Sequence, residues 1–240
     1  MSFVVKTTTK IGLLDLIAPH SCRGCGQLGG VVCDRCKNNI LAKQQRICPL
    51  CKKLVDNDQL KCADCDFAGA EVFAATRRAG WLGSLVGEFK MKSVRAAGDP
   101  LVEILDGAVQ KSSLVKNDDI KQCDQVIVVP LPTIRRHVRE RGFDHTTVIA
   151  KKLAKKHGWK MIKLLGRAKD SVQVGSSKNQ RKTQAKTAYE LLSDPEPAAR
   201  YLLVDDIWTT GASIRAAVDL FLAAGIPREQ IFAAVIALSE

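Results

Sequence analysis

Two groups of residues in this 240-residue chain could do chemistry. The first is Asp205-Asp206-Ile207-Trp208-Thr209-Thr210-Gly211-Ala212-Ser213, where an apolar run over 201–204 ends in two adjacent carboxylates. Two hydroxyls, a glycine and the start of a helical pattern follow. A helix N-terminus offers unpaired N–H groups and the positive end of a dipole, which suits a phosphate. Gly211 lets the backbone come close to such an anion. The carboxylates just upstream can accept hydrogen bonds from sugar hydroxyls, so the pattern fits a phosphorylated sugar. Ordinary helix capping explains Thr209 or Ser213, but not two adjacent aspartates after a buried strand.

The second group is eight of the nine cysteines, which form four C-x-x-C pairs: Cys22/Cys25, Cys33/Cys36, Cys48/Cys51 and Cys62/Cys65. Two thiolates three positions apart can point at one metal, and two such pairs complete a tetrahedron. Eight ligands make two zinc sites. Sequential and interleaved pairings are both open; the sequential one closes shorter loops and costs less chain entropy. With every position filled by sulfur, both sites read as structural. A disulfide framework has similar spacing, but nothing in the sequence suggests secretion. A redox C-x-x-C would be single and would follow a strand. Cys123 stands alone and reads as a small apolar residue.

Periodicity predicts the elements that must carry these groups. Residues 71–78 read as a strand and 82–92 as a helix. A second helix is expected over 99–115, with Asp99 as its cap and Pro100 at its first position. Residues 126–129 suit a buried strand ended by Pro130, 144–157 a helix, and 161–165 a strand. Residues 201–204, 212–224 and 231–238 read as strand, helix and strand, with Gly225 stopping the helix. The alternation implies an α/β fold with a parallel sheet. Ligands of such sheets bind beyond the carboxyl ends of the strands. Two loops fall there: Pro130-Leu131-Pro132 with the basic stretch 135–141, and the turn 205–213. The cysteines define a small module, 1–68, ahead of an α/β domain, 69–240.

The net charge of +12 is concentrated. Residues 129–190 hold 16 Lys/Arg against four acids, and the rest of the chain has 21 of each sign. Such an excess suits an anionic partner, phosphate or nucleic acid, although a solvated basic face is the simpler alternative. Lys151, Lys152, Lys155 and Lys156 fall at i, i+4 spacing and predict a basic stripe that single-stranded DNA could follow. No segment reaches the roughly 18 apolar residues of a membrane span. Asp15 interrupts the apolar run 11–18, which argues against a signal peptide and for a cytoplasmic location.

The segment 202–213 resembles the phosphoribosyl pyrophosphate motif of type I phosphoribosyltransferases. Over nearly its whole length the chain resembles the ComF/GntX family, associated with natural competence and DNA uptake. The residues 14–19 before Cys22 are similar to that family's lead into its double zinc ribbon. Val129-Pro130-Leu131-Pro132 and Arg139-Glu140-Arg141-Gly142-Phe143 are similar to its next block, and Arg167, Gln173, Arg181, Ala188 and Tyr189 to its third. The chain departs from the family pattern at Asp144-His145, Gln184, Tyr189 and Trp208.

The resemblance implies a type I phosphoribosyltransferase-like sheet with helices on both faces behind a double zinc ribbon. It implies that Asp205 and Asp206 hold ribose hydroxyls and act at the reacting sugar, and that Thr209, Thr210, Gly211, Ala212 and Ser213 hold the 5-phosphate. Pro130, Leu131 and Pro132 would face the pyrophosphate, with Lys178 and Arg181 closing over it. Magnesium would accompany the pyrophosphate, and the two zinc ions would be structural. Three functions compete: phosphoribosyl transfer to an acceptor, non-catalytic handling of single-stranded DNA or adaptor work with the uptake machinery, and zinc-ribbon regulation with the ligand as effector. The zinc module carries no basic recognition helix, which disfavours the last.

Overall fold

The computed structural model describes residues 20–55, 62, 65, 67, 70–91, 94–116, 125–168 and 189–239. Its centre is a seven-stranded sheet. Five strands run parallel: β3 (Glu71–Arg77), β4 (Val126–Pro130), β5 (Lys160–Met161), β8 (Arg200–Trp208) and β9 (Ile231–Leu238). Every residue of β4 and β9 is buried. Unbroken apolar runs of this kind belong to parallel strands covered on both faces. The hairpin β1 (Arg46–Ile47) and β2 (Leu54–Val55) pairs antiparallel onto β3, giving the order β2-β1-β3-β9-β8-β4-β5. The sheet is therefore hydrogen-bonded continuously from the cysteine-rich hairpin to β5.

Alternation along β8 builds one core on each face. Leu202 and Val204 meet Leu85 of α2 (Gly80–Met91), Ile104 of α3 (Gly98–Val109) and Ile149 of α6 (His145–His157). Tyr201 and Leu203 meet Ala217 and Phe221 of α7 (Ala212–Ala223). Helices thus cover both faces. Two shorter helices complete the set, α4 (Ser113–Lys116) and α5 (Arg135–Arg141), together with α1 (Asp34–Lys43) in the cysteine-rich region.

Polar contacts lock that region onto the sheet. Arg46 pairs with Glu71 at 2.5 Å, both buried, and Glu71 also accepts from the Ser113 N–H at 3.1 Å. Gln44 donates to the carbonyls of Ala75 and Ile104. Arg23 pairs with Glu88 of α2 at 2.9 Å, and Lys37 with Glu103 of α3 at 2.8 Å.

Several sequence expectations change. A 3-10 turn, Arg95–Ala97, winds the chain straight into α3. Ala97 already has helical dihedrals, so Asp99 lies in the first turn and caps nothing. The helix expected over 99–115 breaks after Val109, and α4 follows. The strand expected over 161–165 splits. Ile162 N–H gives a last bond to Val128, and the chain then leaves the sheet for β6 (Leu165–Arg167), which pairs antiparallel with β7 (Tyr189–Leu191). The basic stretch 135–141 is helical, and α5 buries none of its residues. The lysine stripe on α6 is half neutralised: Lys152 pairs with Asp99, and Lys156 with buried Asp106 at 2.9 Å. Among the described residues no helix is long and apolar enough to cross a membrane.

Candidate functional site

The eight cysteines gather into two groups, Cys22/Cys25/Cys33/Cys36 and Cys48/Cys51/Cys62/Cys65, with all sulfurs of a group within 4.8 Å of one another. The pairing is sequential. Cys25 and Cys33 sulfurs lie 3.6 Å apart and those of Cys51 and Cys62 3.7 Å apart, and the eight are free thiols. A tetrahedral zinc with Zn–S bonds of about 2.3 Å separates its sulfurs by about 3.8 Å, so each group can hold one ion. Cys123 lies outside the described residues.

The first knuckle of each group has the same turn. Cys22 N–H donates to Gln27 and Gly26 N–H to Cys22; Cys48 N–H donates to Lys53 and Lys52 N–H to Cys48. The turn needs a left-handed residue after the second cysteine. Gly26 adopts φ 78° without cost, whereas Lys52 adopts φ 60° with a Cβ. Burial opposes ionisation of Cys22, but the N–H groups of Cys33, Cys25 and Gly24 outweigh it and pull the thiol down to about 6. Burial and the neighbouring thiols push Cys36 up to about 12. A bound cation would convert the whole set to thiolates.

Asp205 and Asp206 lie inside β8, which runs on to Trp208 instead of ending before them. Consecutive strand residues face opposite sides, so the two carboxylates divide. Asp206 is buried on the α2/α6 side. Its Oδ2 lies 2.9 Å from Lys90 Nζ and 3.0 Å from His145 Nε2. Arg141 Nη1 stands 3.3 Å from His145 Nδ1. Guanidinium only donates, so Nδ1 accepts and the ring proton sits on Nε2, facing Asp206.

Asp205 faces the α7 side and lines a small hollow, about 20 Å³, together with Trp208, Thr209, Gly211, Ala212 and Ser213. Its Oδ1 accepts the Asp206 N–H at 2.8 Å. Burial, and then the charge of Asp206, push Asp205 up to about 8. Asp206 is also desolvated, but His145 and Lys90 hold it far below the usual carboxylate range. Near neutral pH the pair carries one negative charge, on Asp206.

The turn after β8 exposes Thr209 and Thr210. Gly211 has φ 74°, and a Cβ there would lie 2.1 Å from Trp208 Cζ2, so only glycine fits beneath the indole. Gly211 is the N-cap of α7 and offers no side chain, although Thr210 Oγ1 accepts from the Ala212 N–H at 3.4 Å. The leading N–H groups of α7 lack intrahelical partners and point out of the helix end.

Other segments converge on this end of the sheet. Leu131 N–H donates to Val204, placing Pro130, Leu131 and Pro132 beside β8. Arg167 Nε donates to the Pro132 carbonyl at 3.2 Å, and its guanidinium lies 5.5 Å above the Tyr189 ring. Burial raises the Tyr189 pKa, and the neighbouring Ser213 hydroxyl and Arg167 act against that rise. Asp144 caps α6 and accepts from Thr133, Thr146 and Thr147. Lys178, Arg181, Gln173, Gln184 and Ala188 lie outside the described residues. The sequence did not reveal Lys90 and His145 as partners of Asp206, or Arg141 behind His145; a histidine following the helix-capping Asp144 was the available signal. A larger hollow of about 450 Å³ lies elsewhere, lined by Gln44, Glu103, Asp106, Lys111 and Lys156.

No family model and no curated protein matches the chain.

Proposed function

We propose that this protein binds phosphoribosyl pyrophosphate or a related ribose 5-phosphate at the carboxyl end of β8, and transfers the phosphoribosyl group, as the likeness to ComF-type phosphoribosyltransferases implies. The observation that carries the reading is one convergence. The glycine turn at the start of α7, the half-buried Asp205 and the 130–132 loop share one end of the sheet. The 5-phosphate would take the N–H groups that open α7 and the hydroxyls of Thr209, Thr210 and Ser213. Asp205 would accept a ribose hydroxyl, with Asp206 held back by His145 and Lys90 as a fixed negative charge for the electron-poor sugar ring. Pro130, Leu131 and Pro132 would face the pyrophosphate, whose magnesium neutralises the leaving group when bound. The two tetracysteine sites would hold zinc as structural ions.

A second reading rests on α5. It carries Arg135, Arg136, Arg139 and Arg141 on a helix with no buried residue, a surface suited to the phosphates of single-stranded DNA. A non-catalytic DNA-handling or adaptor role would follow from it. Pyrophosphate release separates the two. Incubation with phosphoribosyl pyrophosphate, magnesium and candidate acceptors should liberate pyrophosphate if the chain is a transferase. Tight ligand binding without release favours the non-catalytic role.

A further inference from the structure

Phe67 lies two residues beyond Cys65, the last sulfur of the second tetracysteine group, and is buried. Its ring meets Trp208 edge-on, with centroids 5.4 Å apart at 63°. On the same ring, the Arg215 guanidinium sits 4.3 Å from the centroid. Trp208 is the last residue of β8 and Arg215 lies in the first turn of α7. One aromatic side chain from the cysteine-rich region therefore touches both ends of the turn 209–214. Trp208 in turn covers Gly211, where the backbone is left-handed and no Cβ fits. A packed path thus runs from Phe67, two residues along the chain from Cys65, through Trp208 to Gly211 at the start of α7.

We propose that Phe67 is a positioning residue for this turn, so that metal at Cys48/Cys51/Cys62/Cys65 sets the turn's affinity for a phosphate. The inference rests on reading the turn as the phosphate site. A cysteine knuckle has almost no apolar core and depends on its ion for shape. Without the ion Phe67 loses its anchor, Trp208 gains freedom, and the N–H groups after Gly211 lose their common aim. The first tetracysteine group packs elsewhere, against α2 through Arg23 and Glu88. Its ion should not govern the turn.

The test uses the full chain with Trp81→Phe and Trp159→Phe, leaving Trp208 as the sole indole. Acrylamide quenching reports the cover over Trp208, and calorimetry reports affinity for ribose 5-phosphate. Phe67→Ala keeps all eight sulfurs and should raise quenching and weaken ribose 5-phosphate about two- to tenfold, the worth of one aromatic pair. Phe67→Tyr should restore both. Cys51→Ser should act like Phe67→Ala, while Cys33→Ser should leave Trp208 quenching at the wild-type value. Unchanged quenching in Phe67→Ala overturns the proposal, as does raised quenching with wild-type affinity. If the unmodified chain binds no ribose 5-phosphate, the phosphate reading falls instead, and Trp208 quenching alone decides the role of Phe67.

Discussion

His145 Nε2 stands 3.0 Å from Asp206 Oδ2, and both side chains are buried. Lys90 reaches the same oxygen from α2. Asp206 is thus the shared anion of two helices, and its role differs from that of Asp205 one position earlier on β8.

Asp206→Asn should therefore cost stability as well as ligand binding. It leaves Lys90 and His145 facing a neutral amide in a desolvated site. Removing one partner of a buried pair costs about 3–5 kcal/mol, and the partial exposure of Lys90 puts this case at the low end. Urea denaturation at neutral pH measures it. A loss below about 1 kcal/mol would show that the pair contributes no more than a surface contact.

Asp205 makes the stability of the fold depend on pH. Its folded pKa of about 8 lies above the unfolded value near 4, so the folded chain holds a proton that the unfolded chain has lost. Its contribution is fully present below about pH 4 and is lost as pH rises through about 8. Asp205→Asn removes that dependence, so its stability relative to wild type should climb from pH 5 to pH 9. Parallel stability curves across that range would place Asp205 at an ordinary pKa.

Purified protein should carry two zinc ions per chain, and Cys48→Ser should remove one while the first group keeps its own. Metal analysis after chelator-free purification gives the count. Loss of both ions from the single variant would argue for shared or interleaved sites.

Lys52 and Gly26 occupy the same place in their knuckles, and only Lys52 has a Cβ to strain. Lys52→Gly should relieve about 1 kcal/mol of left-handed strain and slow metal loss from the second site to a competing chelator. Faster loss would mean that the lysine side chain contributes more than the backbone strain costs.

The strands were legible wherever burial is two-sided. The apolar runs of β4, residues 201–204 of β8 and β9 carry no charged position to confuse them with a helix or a loop. The cysteine spacing was legible because metal chemistry works through local turns, and the sequential grouping follows from loop length. What could not be read depends on distant neighbours. Asp205 and Asp206 look alike in the sequence, and a lysine 116 positions away separates their roles. The i, i+4 lysines of α6 suggested a stripe, but Asp99 and Asp106 of α3 claim two of the four. Phe67 gave no signal beyond its nearness to Cys65, because its partners sit in β8 and α7.

The turn 209–213 and Asp205 are proposed to hold a ribose 5-phosphate. Calorimetry with phosphoribosyl pyrophosphate and magnesium tests this most directly, on wild type and on Asp205→Asn. Wild type should bind, and Asp205→Asn should bind more weakly by about 0.5–1.5 kcal/mol, the worth of a hydrogen bond to a neutral group, while its urea midpoint stays at or above that of wild type. No heat of binding from wild type at millimolar ligand would contradict the account.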